Sequence, residues 1–409
     1  MNRILVVVPT RNRAGLARAA ISSVLQQGVA LQILASDNST ELAESEDLRQ
    51  YCAGLDPAVV SYARPDEPLP MTAHWEWALQ RGLAMGGLTH VLYLTDRMVF
   101  RDGALAEIAR LAGRHPASVI SYNHDRIDDS RQPVVLEQRD WTGKLLEVPS
   151  AQLLRLTAQA IIPPCLPRML NAIVPVDVLA EVRQRFGSVF ASLSPDYAFA
   201  YRVLTVCDRI LYYDAPALIH YALDRSNGAT YSRGIASKDR ADFMANIGTA
   251  VLNGAAPVPA FHNATNGIFH EYEVARAAAG AGQFPEIDRF QYLGMMDFDS
   301  RQLVDPGLAA TSAALLRANG WRRRDRLRWL LPRIAGYLRA DPAGAFAAAL
   351  RRPRRFRTTQ AALEFANRHP RAARPNARHF YLWFLLQPQG VVREAEAPTA
   401  AGIPLGRAA

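Results

Sequence analysis

The chain has 409 residues, 49% hydrophobic and 21% charged, which is enough apolar material for a sizeable core and too much for a disordered chain. Three widely spaced cysteines, Cys52, Cys165 and Cys207, exclude a disulfide framework, and no Cys/His spacing suits a structural zinc. The formal charge of +9 is concentrated, because residues 317–357 hold thirteen arginines against Asp325 and Asp341; no apolar run, Phe380 to Leu386 included, approaches the roughly 20 residues that span a bilayer.

Apolar runs alternate with helical stretches through the first two hundred residues, the pattern of an α/β sheet. The run Ile4–Val8 reads as a strand ending at Pro9-Thr10-Arg11-Asn12-Arg13, entered without a signal-peptide pattern, so a cytosolic protein is expected. An amphipathic helix follows, then a second strand, Leu31–Ala35, ending at Ser36-Asp37-Asn38-Ser39. In an open parallel sheet ligands settle beyond the carboxyl ends of the strands, so Thr10, Arg11, Arg13 and Asp37 are expected to line one site. No GxGxxG or GxxxxGK[ST] follows the first strand, so phosphate would be held by side chains and by an Arg/Asn-bearing loop.

Further strands are predicted at Val59–Ala63, His90–Leu94, Ser118–Tyr122, Arg168–Val174 and Ile210–Tyr213, and helices at 71–85, 102–113, 177–186 and 196–206. The polar stretch 123–133 reads as a loop. Met71, Trp75 and Leu79 recur at helical spacing, which makes Trp75 a core residue and leaves His74 beside it as a candidate ligand contact. The strand at 90–94 ends in Thr95-Asp96-Arg97-Met98. Ser194-Pro195-Asp196 opens a helix with a cap, a proline at the first position and an acid where the dipole favours one. Beyond about Asp224 the sequence turns Ala- and Arg-rich and helical. Three regions are expected: an α/β domain over 1–225, a helical region over 226–390 and a loose tail over 391–409.

Pro9, Thr10, Asn12 and Arg13, then Asp37, Asp96 and Asp196 in this order, resemble the landmarks of family 2 glycosyltransferases, whose GT-A fold binds a nucleotide-sugar. The resemblance covers about residues 2–225. It implies an inverting transfer from a nucleoside diphosphate-sugar to an acceptor hydroxyl, in glycan or surface polysaccharide synthesis, with Asp196 as general base. It assigns the base to Asp37, favouring uridine or thymidine; Pro9, Thr10, Arg11, Arg13, His74, Asp96, Arg97 and His220 would complete the donor site. Two readings of the diphosphate charge stay open. Asp96, with His220, binds Mg²⁺ or Mn²⁺ where the family carries DxD; or Arg97 replaces the metal, since Met98 is a poor ligand for a hard cation. A non-catalytic nucleotide-sugar or glycan binder is one alternative, prompted by the depleted acidic site. A nucleotidyltransferase is another, disfavoured by the missing Gly-rich loop. The resemblance also implies a glycan or lipid-linked acceptor. The Arg-rich stretch 317–357, interleaved with Trp and Leu, suits solvated helical faces or an anionic membrane surface, which would make the protein peripheral to the inner face; nucleic acid is the weakest partner, for want of a motif.

Overall fold

The computed structural model describes residues 3–190, 193–235, 241, 244–245, 254–255, 257–261, 263–280, 282–376 and 393–396. Twelve strands build one mixed sheet: β1 (Ile4–Thr10), β2 (Leu31–Asp37), β3 (Val60–Ala63), β4 (His90–Tyr93), β5 (Met98–Phe100), β6 (Ile120–Asp128), β7 (Val134–Glu137), β8 (Leu145–Pro149), β9 (Ala172–Pro175), β10 (Arg209–His220), β11 (Arg354–Phe356) and β12 (Arg393–Glu396). The main order is β12-β8-β10-β6-β9-β4-β1-β2-β3. Strands β1, β2, β3 and β4 pair in parallel, β10 runs parallel to β6, and β9 lies antiparallel between β4 and β6. Six strands therefore share one direction and end on one edge of the sheet, the edge where α/β proteins place their ligands.

Both faces of this sheet are covered, which is why its strands read as unbroken apolar runs. Alternation decides which side chain meets which layer. Leu5 and Val7 of β1 join one core with α3 (Met71–Leu83), α5 (Ser150–Ala158), α6 (Val176–Phe186) and α7 (Pro195–Val206). Ile4, Val6 and Val8 join the other with α1 (Ala14–Leu25), α2 (Leu42–Ala53) and α4 (Ala104–Arg114). Trp75 packs in the first core edge-on to Phe190, their ring centroids 5.4 Å apart, as its helical spacing predicts.

After α8 (Asn227–Arg233) the chain is mainly helical: α9 (Ala264–Ala279), α10 (Arg289–Ser300), α11 (Pro306–Ala318), α12 (Arg323–Ala340), α13 (Pro342–Leu350) and α14 (Thr359–Arg368). Phe269, Tyr292, Met296, Trp321 and Trp329 form a core of their own that reaches Ala160 of the α/β part, while Tyr272 and Ala275 of α9 enter the first sheet core. The chain then returns to the sheet. Strand β11 pairs with β7; α14 buries Ala362 and Ala366 beside Ile127 and Leu136; and Asp140 receives the guanidinium groups of Arg351, Arg371 and Arg374 at 2.8, 2.9 and 3.4 Å. Residues 226–390 are thus not all set apart from the α/β layers: 354–374 are laid on them. Of the expected tail 391–409, residues 393–396 are described, and they form an edge strand on β8.

Two local expectations need correction. The polar stretch 123–133 is not a loop at its start, because β6 runs to Asp128; two of its polar side chains are buried against partners, Asp125 on Arg101 and Asn123 on Asp214 at 2.9 Å. Residues 169–171 are a tight helical turn, and the strand begins only at Ala172. No helix among the described residues is long and apolar enough to cross a membrane, and Phe380 to Leu386 lies outside them.

Candidate functional site

The strand-end edge opens into a cavity of about 1010 Å³. Its first wall is the loop after β1. Asn12 takes a left-handed backbone, φ 55°, which asparagine tolerates better than most side chains. The conformation lets Asn12 clamp the loop after β2: its Oδ1 accepts from the N–H groups of Thr40 and Glu41 at 2.8 and 3.0 Å, and its own N–H donates to Ser39 Oγ at 2.8 Å. Pro9, Thr10, Arg11 and Arg13 are thereby presented to the cavity.

Asp96, beyond β4, accepts from Thr10 Oγ1 at 2.8 Å and lies 3.7 Å from Arg13 Nη1. Next to it, Arg97 Nη1 is 2.8 Å from His220 Nε2. A guanidinium only donates, so this nitrogen of His220 is the acceptor and the ring is neutral. Burial, then the positive charge of Arg97, holds its pKa well below the ordinary histidine value, with His124, Arg126 and Arg168 adding to the effect. His124 stands 6.0 Å away, ring to ring, and is held neutral in the same way by burial and by Arg168, Arg139 and Arg126.

At the first turn of α7, Asp196 faces this cluster across the cavity. Burial raises its pKa above the usual carboxylate range, opposed by Arg168, by the N–H groups of Asp196 and Tyr197, and by Arg97. Arg168 donates to Tyr197 Oη at 3.4 Å and lies over the same ring. The helix entry is fixed from outside the α/β layers. Glu271 of α9, 1% exposed, accepts from the N–H groups of Leu193 and Ser194 at 2.6 and 3.0 Å. Thr265 and Asp299 of the helical region close the wall.

Seven arginines line the cavity (Arg11, Arg13, Arg97, Arg126, Arg139, Arg168, Arg233) against four carboxylates (Glu76, Asp96, Asp196, Asp299). Three of those carboxylates are engaged by the protein: Glu76 by Arg183 and the N–H groups of Val189 and Phe190, Asp96 by Thr10 and Arg13, and Asp299 by Thr265. The surplus positive charge suits an anionic ligand.

Of the residues expected from sequence, Pro9, Thr10, Arg11, Arg13, His74, Asp96, Arg97, Asp196 and His220 all line this one cavity. Asp37 does not. It is fully buried, and its carboxylate accepts from Ser39 N–H at 2.9 Å, Ser45 Oγ at 2.6 Å and Tyr62 Oη at 2.8 Å. The residue expected to read a base thus has its oxygens engaged by the loop after β2 and by Tyr62. His74 is 3% exposed, with Nε2 2.8 Å from Ser36 Oγ, so one ring nitrogen is committed inside the protein.

The two residues expected as a metal pair, Asp96 and His220, each hold protein partners. Among the described residues no three His, Cys, Asp or Glu side chains are grouped to hold an ion; Asp96 is engaged by Thr10 and Arg13, and His220 by Arg97. A donor set bonded to arginine does not fit Mg²⁺ or Mn²⁺. Reading 123–133 as a loop hid His124 and Arg126, which alternate on one face of β6; Arg139, Arg168, Tyr197 and Glu271 carried no spacing that could mark them.

No protein-family model and no curated protein matches the chain. Among solved structures it is similar to S. aureus TarS 1–349 in complex with UDP-GlcNAc, with 13% identity and a TM-score of 0.44, covering 78% of this chain and 89% of that one. The complex of the same protein with UDP gives 13%, 0.41, 78% and 88%. Against the longer TarS chain the values are 15% and 0.40, and the match spans about half of it, 54%, and 79% of this chain. At these identities the likeness assigns no activity.

Proposed function

We propose that this protein is an inverting glycosyltransferase of the GT-A type, moving a sugar from a nucleoside diphosphate-sugar to an acceptor hydroxyl of a glycan or lipid-linked glycan. One observation carries the reading: a carboxylate of raised pKa, Asp196, faces guanidinium groups where parallel strands end. The acceptor O–H gives its proton to Asp196 as its oxygen attacks the anomeric carbon; the bond from that carbon to the diphosphate oxygen breaks, and its electron pair leaves with the diphosphate. Thr10, Arg11 and Arg13 hold the nucleotide. Arg97, with Arg126 and Arg168, offsets the leaving charge, since a guanidinium grips phosphate oxygens in pairs and keeps its proton at any working pH.

The test is turnover of a panel of nucleotide-sugars beside UDP binding by thermal shift. Asp196→Asn is expected to lower kcat by roughly 10² to 10⁴-fold with UDP binding unchanged. Binding without any turnover in the unaltered protein would favour a non-catalytic nucleotide-sugar binder, the reading prompted by the absence of an acidic cluster around Asp96. The rate is expected to survive EDTA and to fall at least tenfold in Arg97→Ala. A rate lost in EDTA and restored by Mn²⁺ would return the diphosphate to a metal.

A further inference from the structure

Helix α12 is amphipathic in an unusual sense, because both of its long faces are apolar. Trp329, Gly336 and Ala340 are buried, with the Trp329 ring lying against the backbone of Gly294 in α10. Leu327, Leu331, Ile334 and Leu338 recur at intervals of four, three and four residues and are 60, 60, 45 and 50% exposed. At about 100° per residue these four fall within one stripe roughly 160° from the packed face, pointing straight out from the molecule. Arg324 and Arg328, both exposed, flank the stripe; Arg328 is 71% exposed. The next helix continues the pattern, leaving Phe346 and Leu350 69 and 67% exposed ahead of the exposed Arg352, Arg354 and Arg355.

From this we infer that α12 and α13 dock the protein on the surface of an anionic lipid bilayer. An outward stripe of this kind marks a contact site, and the arginines select among occupants. A second copy seated on the stripe would bring the arginine-rich surroundings of one chain against the same arginine-rich surroundings of the other. A bilayer meets both halves of the surface: leucine and isoleucine enter the boundary of the acyl chains, and guanidinium groups reach the lipid phosphates on stems that lie along the apolar face. The helix lies on the membrane and does not cross it, since no described helix is apolar enough to do so. The inference stands apart from the transferase reading, because no residue of the stripe lines the cavity.

The experiment is co-sedimentation of the full chain with phosphatidylcholine vesicles, with and without phosphatidylglycerol, at low and high salt, alongside analytical ultracentrifugation without lipid. Binding is expected only with the anionic lipid, at least about tenfold above the neutral vesicles and weakened by salt. Arg324→Gln with Arg328→Gln, and separately Leu331→Ser with Leu338→Ser, are each expected to lower it at least tenfold while circular dichroism and melting temperature hold. Equal binding to both vesicles, or none, overturns the inference. Retained binding in the double serine variant overturns it in favour of a plain polyanion site, and lipid-free dimers abolished by the serines overturn it in favour of a second copy.

Discussion

Asp196 and the arginines opposite it make a pH-dependent pair, and the direction of the effect follows from charge. Burial lifts the carboxyl above its ordinary range and Arg168 pulls it down, so a general base at this position loses activity as pH falls through a value higher than that of a free aspartate. Arg168→Gln is expected to move the acid limb of kcat/KM to higher pH, as read from a pH–rate profile; an unmoved limb would detach Arg168 from the base. His74 supplies a stability counterpart. Burial lowers its pKa to about 4 from 6.5, so the unfolded chain takes up a proton where the folded one does not. Stability is full above pH 6.5 and drains as pH falls toward 4, by roughly 3 kcal/mol in all. His74→Gln is expected to flatten denaturant midpoints measured across that window. These two residues were visible in the sequence because each sits near the start of a predicted helix. Asp37 was equally visible, but nothing in a one-dimensional pattern says that Ser45 and Tyr62 will donate to its oxygens.

Among the elements, the strands of parallel pairing were the most legible, because burial on both faces leaves an unbroken apolar run such as Ile4–Val8. Strand β6 was legible only in part. Its second half carries Asp125 and Asp128, and those charges become strand residues because Arg101 arrives from elsewhere in the chain to meet Asp125 while Arg131, three residues on, pairs with Asp128. Arg101 is 1% exposed and also donates to the Ala366 carbonyl, so the element rests on a buried ion pair. Asp125→Ala would strand that guanidinium, and a loss of about 3 to 5 kcal/mol is expected in urea unfolding. The helical layer has an analogous weak point at Gly294, where a Cβ would run into the Trp329 ring. Gly294→Ala is expected to cost about 1 to 3 kcal/mol by thermal melting, through overpacking.

Taken whole, the molecule is closed by its own C-terminal part. Residues 354–374 add a strand to β7, seat α14 on β6 and deliver Arg371 and Arg374 to Asp140, while the Arg371 carbonyl accepts from Trp141 Nε1 at 2.8 Å. Asp140→Ala is expected to speed proteolytic cleavage between 350 and 376 at least several-fold, with the cavity residues untouched. Sequence composition divided the chain near Asp224 and could not show this return, because a short strand and one helix carry no mark of the partner they will meet far upstream. The return also orders events during synthesis. When the first 225 residues have left the ribosome, β7 is still an unpaired edge and Arg101 lacks the Ala366 carbonyl; more than a hundred further residues must emerge before either is satisfied. The nascent α/β layers therefore wait with an open strand edge, a state exposed to pairing with other chains until the C-terminal segment has been made.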